Sequence, residues 1–320
     1  MSNKATTKSI WFNGKFVPWD EANVHVMTHA LHYGTSVFEG LRAYDTPNGT
    51  IIFRLKEHMQ RLLNSARIYR ISIPYSLEEL CQACCDLMKE NELKFGYIRP
   101  LAFIGNVGLG VKPPADAKIE VIMGVLPWGA YLGEEGMKKG VKVGVSSWRR
   151  LAPDTIPTGA KAGGNYLSSL LISNEAKQHG YAEGIALDVD GYLAEGSGEN
   201  IFLVKDGVLY TSPISCAILP GITRDSIITI LKELNYEVIE DSIDIDFIIK
   251  SIKNNTLSEA FGCGTAALIA PIKSLTYKIE TSVISDEIGP ISEYLYDELT
   301  NIQWGLKEDK YNFRYKIKQD

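Results

Sequence analysis

The chain has 320 residues, which is long for one compact core and comfortable for two domains. Hydrophobic residues make up 45% of it and charged residues 22%, so we expect an ordered globular protein. The net charge of -6 gives no basic face that could hold a nucleic-acid backbone, and we therefore expect no nucleic-acid partner.

The sequence also indicates a cytoplasmic protein without a membrane partner. Met1 to Trp19 lack the apolar run of a signal peptide, and no segment approaches the ~20 apolar residues that span a bilayer. The five cysteines are an odd number and do not suggest a disulfide framework. Cys81 and Cys84 lie within a helical pattern, where buried packing is the favoured interpretation over a redox or metal role.

The first 130 residues combine strands and helices in mixed order. Asn13-Gly14 is typical of a tight hairpin turn. Ser76 with Glu79 three residues later forms a capping box, which marks the start of a helix. The predicted elements are a hairpin over 11–17, a second over 37–44 and 51–54, helices over 55–70 and 76–91, and strands over 97–104 and 119–126.

The second half starts after a glycine-rich polar stretch and contains more hairpins. Asp190-Gly191 and Asp206-Gly207 each predict a hairpin turn. We predict a smaller N-terminal domain over 1–127, a linker over 128–136 and a larger domain over 137–320. The many hairpins favour an α+β fold over a parallel doubly wound sheet, and so argue against a dinucleotide-binding domain. Further predicted elements are a strand over 141–147 and helices over 166–179, 223–234 and 290–303.

Three segments of the second half carry side chains suited to chemistry, although each has a plainer interpretation. Lys161 lies among small residues that leave room for a flat ring, but a lysine in such a loop is usually a solvated charge. Glu195 follows a hairpin turn and by itself is an exposed strand carboxylate. Gly221 to Arg224 lead into an amphipathic helix, so they offer either a phosphate site or an ordinary capped turn.

Taken together, these segments resemble the signatures of class IV aminotransferases and occur in that family's order. Four further segments are similar to branched-chain aminotransferases of bacterial type. The resemblance covers nearly the whole chain and fades after about Leu275. It implies fold type IV, with two α/β domains of mixed, largely antiparallel sheets and pyridoxal 5′-phosphate between them. The signature segments are 161–166, 195–200 and 219–224, and the further segments are 32–40, 97–100, 127–133 and 264–267.

The resemblance also implies roles for individual residues around the cofactor. Lys161 would bind the cofactor covalently and move the proton at the substrate Cα. Glu195 would pair with the ring nitrogen and Tyr166 would hydrogen-bond the ring hydroxyl, while Leu219 would pack against the ring. The residues expected to bind the phosphate are Arg61, Ile222, Thr223 and Thr265.

The implied substrate pocket must accept both a branched apolar side chain and glutamate. Four aromatic residues would form an apolar wall, although core packing is their plain alternative. Tyr97 and Arg99 would meet the side-chain carboxylate of glutamate, and Thr265 with Ala266 would bind the α-carboxylate. The family completes this pocket with a neighbouring subunit's loop, here around Val111, which implies a homo-oligomer: a dimer or an assembly of dimers. The aromatic residues are Tyr33, Phe38, Trp128 and Tyr131.

The resemblance predicts reversible transfer of the amino group between L-leucine, L-isoleucine or L-valine and 2-oxoglutarate, by a ping-pong mechanism. A D-amino acid aminotransferase and an aminodeoxychorismate lyase share the fold and remain alternatives. Segments 97–100 and 127–131 favour the branched-chain enzyme. A cofactor-binding protein without turnover would predict loss of Lys161 or Glu195, and both are present. His25, His29 and His32 have ligand-like spacing without accompanying cysteines or carboxylates, so we expect no metal.

Overall fold

The computed structural model describes residues 6–127 and 140–318. These residues divide into two compact units. The first unit comprises 6–127, 160–164 and 300–318, and the second comprises 140–159 and 165–299. The predicted linker over 128–136 lies outside the described residues.

The first unit is built around one antiparallel sheet. Its strands follow the order β17-β5-β4-β6-β7-β1-β2, and β3 pairs with β6. The strands, numbered in chain order, are β1 (Ser9–Phe12), β2 (Lys15–Pro18), β3 (Ser36–Phe38), β4 (Leu41–Thr46), β5 (Gly49–Phe53), β6 (Gly96–Ile104), β7 (Ile119–Leu126) and β17 (Arg314–Lys316). The helices are α1 (His29–Tyr33), α2 (Leu55–Ile68) and α3 (Leu77–Glu90), and a 3-10 turn spans Trp19–Glu21.

Local signals predicted most of these elements. The β1–β2 hairpin is confirmed, and its turn residues Asn13 and Gly14 both have positive φ, as a two-residue hairpin turn requires. The second predicted hairpin corresponds to β4 and β5, but residues 36–38 form the separate strand β3 beside β6.

The two predicted helices of this unit pack their apolar faces into one core. α2 buries Met59, Leu62 and Ala66, and α3 starts with the predicted capping box at Ser76. Cys84 is fully buried and its Sγ lies 3.9 Å from Met59 Sδ. Burial raises the pKa of this thiol well above its usual value, which fits a packing role.

The second unit contains a nine-stranded mixed sheet within its described residues. The order is β10-β9-β8-β15-β14-β11-β12-β13, and β16 pairs with β15. The strands are β8 (Val141–Val145), β9 (Glu183–Leu187), β10 (Leu193–Gly196), β11 (Asn200–Lys205), β12 (Val208–Thr211), β13 (Val238–Glu240), β14 (Leu257–Gly264), β15 (Leu268–Tyr277) and β16 (Glu280–Val283). The helices are α4 (Tyr166–Gln178), α5 (Ile222–Glu233), α6 (Ile245–Lys253) and α7 (Pro290–Gln303), and a 3-10 turn spans Gly163–Asn165.

The pairing within this sheet confirms the predicted fold class. Both Asp-Gly hairpins are present, joining β9 to β10 and β11 to β12. Only the pairs β8–β9, β8–β15 and β12–β13 are parallel among the described strand pairs. The protein therefore has an α+β fold with largely antiparallel sheets, and neither unit is a doubly wound parallel sheet.

Two segments lie in a different unit from the one predicted. Residues 300–318, which we predicted within the C-terminal domain, belong to the first unit because β17 pairs with β5. Residues 160–164 belong there too, since Ala162 forms a bridge with Val37. Such pairings join residues far apart in sequence and leave no local signal. None of the described helices is long and apolar enough to cross a membrane.

Candidate active site

Lys161 is held by its main chain on the sheet of the first unit. Its carbonyl accepts a hydrogen bond from the Phe38 N–H at 2.9 Å, and its N–H donates to Ser65 Oγ at 2.9 Å. The neighbours Ala160 and Ala162 are buried in the core of this unit. The glycine-rich loop of the sequence is thus anchored backbone, and the lysine is half-buried rather than fully solvated.

Lys161 shares one face of this sheet with three residues predicted to bind substrate. The Lys161 Nζ and the Arg99 Cζ each lie 4.9 Å from the centroid of the Phe38 ring. Phe38 pairs with Leu101 on β6, so Arg99 and Tyr97, two and four residues earlier on that strand, project from the same face. Arg99 Nη2 donates to the Tyr97 hydroxyl at 3.0 Å. The structure therefore brings Lys161, Phe38, Tyr97 and Arg99 together.

Gly40 makes room for the Tyr97 hydroxyl. A Cβ added at Gly40 would lie 1.8 Å from the Tyr97 Oη, a distance that no side chain tolerates. The Tyr97 hydroxyl of the predicted pocket thus explains why segment 32–40 ends in a glycine.

Tyr33 lies on α1, which contacts the loop that carries Val111 in the first unit. The Tyr33 hydroxyl donates to the Leu109 carbonyl, and a His29 ring nitrogen lies 3.0 Å from the Gly110 carbonyl oxygen. These contacts tie the loop that carries Val111 to α1, while the Val111 side chain is 76% exposed. Its predicted place in a neighbouring subunit's pocket stays a prediction. Trp128 and Tyr131 lie outside the described residues.

Arg61, a predicted phosphate ligand, belongs to a buried cluster on α2. Its Nε and Nη2 donate to the two carboxylate oxygens of Glu39 at 2.6 and 2.9 Å, and His58 Nδ1 lies 2.7 Å from Glu39 Oε2. Burial alone would raise the pKa of Glu39, but Arg61 and His58 outweigh it and hold that pKa well below its usual value.

Glu195 in the second unit is a buried acid with partners on both of its oxygens. Its Oε1 pairs with Arg150 Nη2 at 2.6 Å. Its Oε2 accepts from Asn200 Nδ2 at 3.1 Å and from the Leu219 N–H at 3.0 Å. Arg150 is itself fixed by Ser169 Oγ and the Ala217 carbonyl. The sequence alone suggested an exposed strand carboxylate, whereas the structure buries it.

The predicted phosphate segment forms the start of α5. Gly221 is the N-cap and supplies no side-chain cap, and the first N–H groups of a helix have no partner within it. A Cβ at Gly221 would lie 2.0 Å from Asn200 Oδ1. The glycine therefore allows the chain to pass close to Asn200, which donates to Glu195. Ile222 and Thr223 are buried. Arg224, the last residue of this segment, instead pairs with Glu240 Oε2 at 2.7 Å.

The remaining predicted residues of the second unit lie at element ends. Tyr166 is the first residue of α4 and is half-buried. Thr265 and Ala266 form the turn between β14 and β15, whose pairing closes at Gly264 and Leu268. Their predicted contacts with the phosphate and the α-carboxylate stay predictions.

Sequence reasoning missed four residues that support these side chains. Glu39 lies in segment 32–40 and Asn200 in segment 195–200. Their place within these segments was the sequence signal that could have identified them. His58 lies one helical turn before Arg61 on the same face of α2. Arg149 and Arg150 form a basic pair that is typical of a solvated surface. Only the fold shows that Arg150 is buried.

Comparisons with known proteins identify the family of the chain. The amino-transferase class IV family matches residues 36–275. The branched-chain-amino-acid aminotransferase of Escherichia coli strain K12 is 50% identical over 317 residues, which cover 98% of this chain and 100% of that protein.

Solved structures show the same likeness. A crystal structure of the Escherichia coli branched-chain amino acid aminotransferase has a TM-score of 0.91 and 50% identity, covering 98% of this chain and 100% of that one. The branched-chain amino acid aminotransferase of Thermobaculum terrenum in its PLP form has a TM-score of 0.87 and 32% identity, covering 99% of this chain and 100% of that one. The chain therefore belongs to the amino-transferase class IV family and, within it, to the branched-chain-amino-acid aminotransferases.

Proposed function

We propose that this chain catalyses the reversible transfer of the amino group between L-leucine, L-isoleucine or L-valine and 2-oxoglutarate, with pyridoxal 5′-phosphate as its cofactor. The observation that carries the proposal is the Lys161 amine, which an anchored loop holds over the Phe38 ring beside Tyr97 and Arg99. The name of the Escherichia coli relative and the PLP form of the Thermobaculum terrenum structure support the same activity.

The residues present fit the chemistry of this cofactor. Lys161 supplies a primary amine, Glu195 is a buried acid that can face a protonated ring nitrogen, and the start of α5 offers backbone donors for a phosphate. When bound, pyridoxal phosphate supplies an aldehyde that takes up the amino group and a protonated ring that stabilises the electron pair left on the substrate Cα.

Each predicted cofactor residue then has a defined task. Lys161 carries the cofactor and afterwards moves the proton to and from the substrate Cα. Glu195 keeps the ring nitrogen protonated, and the Tyr166 hydroxyl binds the ring oxygen while Leu219 packs on the ring. The proposed phosphate ligands are Arg61, Ile222, Thr223 and Thr265.

The substrate residues divide by chemistry. Phe38 offers an apolar surface to a branched side chain. Arg99, oriented by its hydrogen bond to Tyr97, offers a cation to the side-chain carboxylate of glutamate. Thr265 and Ala266 bind the α-carboxylate through the backbone. Tyr33, Trp128 and Tyr131 complete the apolar wall, and Val111 serves the pocket of a neighbouring subunit.

We further propose a homo-oligomer in the cytoplasm, a dimer or an assembly of dimers. Val111 supports the oligomer: its loop is anchored to α1 by His29, while its apolar side chain is strongly exposed. An exposed apolar side chain in an anchored loop fits a contact with a neighbouring subunit. All five cysteines are buried thiols without a disulfide, which fits a reducing compartment.

The absorbance spectrum of the protein loaded with pyridoxal phosphate tests this function. We expect the band of the lysine-bound cofactor to disappear with L-leucine alone and to return with 2-oxoglutarate. Disappearance with D-alanine but not L-leucine would instead assign the D-specific aminotransferase. A cofactor band that responds to neither, with release of pyruvate from aminodeoxychorismate, would assign the lyase.

A further inference from the structure

Glu39, His58 and Arg61, the proposed phosphate ligand of the first unit, form a buried cluster that we name the Glu39 cluster. The Glu39 side chain is fully buried, and both of its oxygens are bonded to the other two residues. Arg61 Nε and Nη2 donate at 2.6 and 2.9 Å, and the His58 Nδ1 contact is 2.7 Å. No cofactor role was predicted for Glu39 or His58, so the cluster needs its own explanation.

The protons of the cluster follow from its geometry. An ionised carboxylate only accepts hydrogen bonds, so His58 Nδ1 must donate to Glu39. Burial lowers the pKa of His58, although the Glu39 charge opposes this effect, and the histidine is therefore neutral at neutral pH. The cluster then holds one negative charge on Glu39 and one positive charge on Arg61.

The bonds to Glu39 fix the orientation of the Arg61 guanidinium. Nε and Nη2 form one edge of that planar group, and both are committed to the same carboxylate. An arginine on a helix otherwise has large rotamer freedom, whose loss opposes binding. With this edge held, the guanidinium keeps one orientation, and a phosphate that binds Arg61 must meet the group in that orientation.

We propose that Glu39 is a positioning residue that aims Arg61 at the phosphate of the cofactor. The inference rests on the proposed function, in which Arg61 is a phosphate ligand. Two effects of Glu39 oppose each other. Its negative charge weakens the attraction of Arg61 for a phosphate, whereas its hydrogen bonds hold the guanidinium in place. If orientation dominates, removing the charge weakens phosphate binding; if charge dominates, removal strengthens it.

The test is the affinity of the cofactor-free protein for two probes, pyridoxal 5′-phosphate and pyridoxal, measured by absorbance titration. The wild-type carboxylate accepts from four donors, namely Arg61 Nε and Nη2, His58 Nδ1 and the Gly40 N–H. In Glu39→Gln the amide cannot accept from all four, so the guanidinium loses its fixed edge. We expect the Kd for pyridoxal phosphate to rise ~10–100-fold, the range for a lost hydrogen bond to a charged group. The Kd for pyridoxal should not change, because that probe has no phosphate.

Glu259→Gln is the matched control. Glu259 is a buried carboxylate of the second unit that accepts from the Ile291 N–H, the Ser292 N–H and Ser292 Oγ. Its substitution removes a similar set of hydrogen bonds without touching Arg61. We expect this variant to keep the wild-type Kd for both probes.

A second variant, Arg61→Ala, distinguishes a positioning role of Glu39 from a general structural role. In Arg61→Ala no guanidinium is left to orient, so adding Glu39→Gln should raise the Kd for pyridoxal phosphate no further. Full additivity of the two changes would overturn the inference. Should Glu39→Gln not fold, Glu39→Asp carries the same test, because the shorter side chain keeps the charge and cannot hold both guanidinium nitrogens at these distances.

The outcomes also separate the inference from the proposed function. An unchanged or lowered Kd for pyridoxal phosphate in Glu39→Gln would overturn the positioning role alone, provided that the wild type binds this probe tightly. A wild-type protein that binds neither probe would overturn the proposed function, and the inference with it.

Discussion

The two units treat a buried glutamate in opposite ways. In the first unit, burial alone would raise the pKa of Glu39, but the Arg61 cation and the hydrogen bonds from Arg61 and His58 lower it. In the second unit, burial and the neighbouring carboxyl of Glu183 raise the pKa of Glu199 well above its usual value. Equal burial thus gives an ionised acid in one place and a protonated acid in the other. The neighbouring charges decide, rather than the depth.

This comparison explains why one glutamate of a single motif suits the proposed chemistry. Glu195 and Glu199 are four residues apart and are both buried. Glu195 has Arg150 at 2.6 Å, as Glu39 has Arg61, whereas Glu199 faces a second carboxyl group. A ring nitrogen can stay protonated only beside an acid that has lost its own proton. The arginine partner therefore distinguishes Glu195 from Glu199.

The largest expected effect comes from removing the Lys161 amine. Lys161→Ala should lower turnover with L-leucine and 2-oxoglutarate by about 10⁴-fold, since no other group is proposed to move the Cα proton. The cofactor should still bind through the phosphate contacts. Initial rates together with cofactor retention after dialysis measure both effects. Lys253→Ala, on an exposed lysine, is the control, and retained activity in Lys161→Ala would contradict the assignment.

The next effect compares the two glutamates of the second unit directly. Glu195→Gln should lower turnover by about 10²-fold or more, because the neutral amide no longer stabilises a protonated ring nitrogen. Glu199→Gln should keep most of the activity, since its wild-type side chain is already neutral. Steady-state rates of both variants, each saturated with cofactor, give the comparison. Equal losses in the two variants would contradict the different roles of Glu195 and Glu199.

A smaller effect concerns the arginine that accompanies Glu195. Arg150→Met leaves a buried carboxylate without its cation and should lower the free energy of unfolding by about 3 kcal/mol. Adding Glu195→Gln to this variant should restore part of the loss, because the uncompensated charge is then gone. Urea denaturation of the cofactor-free proteins measures these values. An unchanged midpoint in Arg150→Met would show that Glu195 does not depend on this partner.

The smallest effect on turnover is expected at Glu199, where the signature is a pH dependence of stability. Its pKa is higher in the folded than in the unfolded chain, so the folded state binds more protons. Wild-type stability should therefore fall relative to Glu199→Gln as the pH rises above the unfolded value of about 4.3. Thermal unfolding of both proteins from pH 5 to pH 8 tests the sign. A constant difference across this range would mean that Glu199 is ionised throughout.

Local signals in the sequence predicted the fold well where one short segment determines the structure. Asn13-Gly14 formed a hairpin turn and Ser76 with Glu79 capped a helix, because these effects act within a few residues. The pairing of β17 with β5 was not predicted, since it joins the C-terminal segment to a strand early in the chain. The third strand β3 was merged with β4 for the same reason.

The candidate site was predicted through the family resemblance rather than from composition. Lys161 in a glycine-rich loop has the local pattern of a solvated charge, whereas in the fold its main chain is anchored by Phe38, Ser65 and the bridge at Ala162. Arg150 could not be distinguished from the exposed Arg149 beside it. The burial of a charged residue depends on distant partners such as Glu195, which a linear sequence does not place next to it.

Transfer of a nitrogen label tests the central claim most directly. Protein loaded with pyridoxal phosphate is incubated with ¹⁵N-labelled L-leucine and 2-oxoglutarate, and the products are followed by NMR. We predict ¹⁵N-glutamate in a one-to-one ratio with the 2-oxo acid of leucine, and no labelled product from D-leucine. Labelled ammonia in place of glutamate, or no transfer by the loaded protein, would contradict the proposed function.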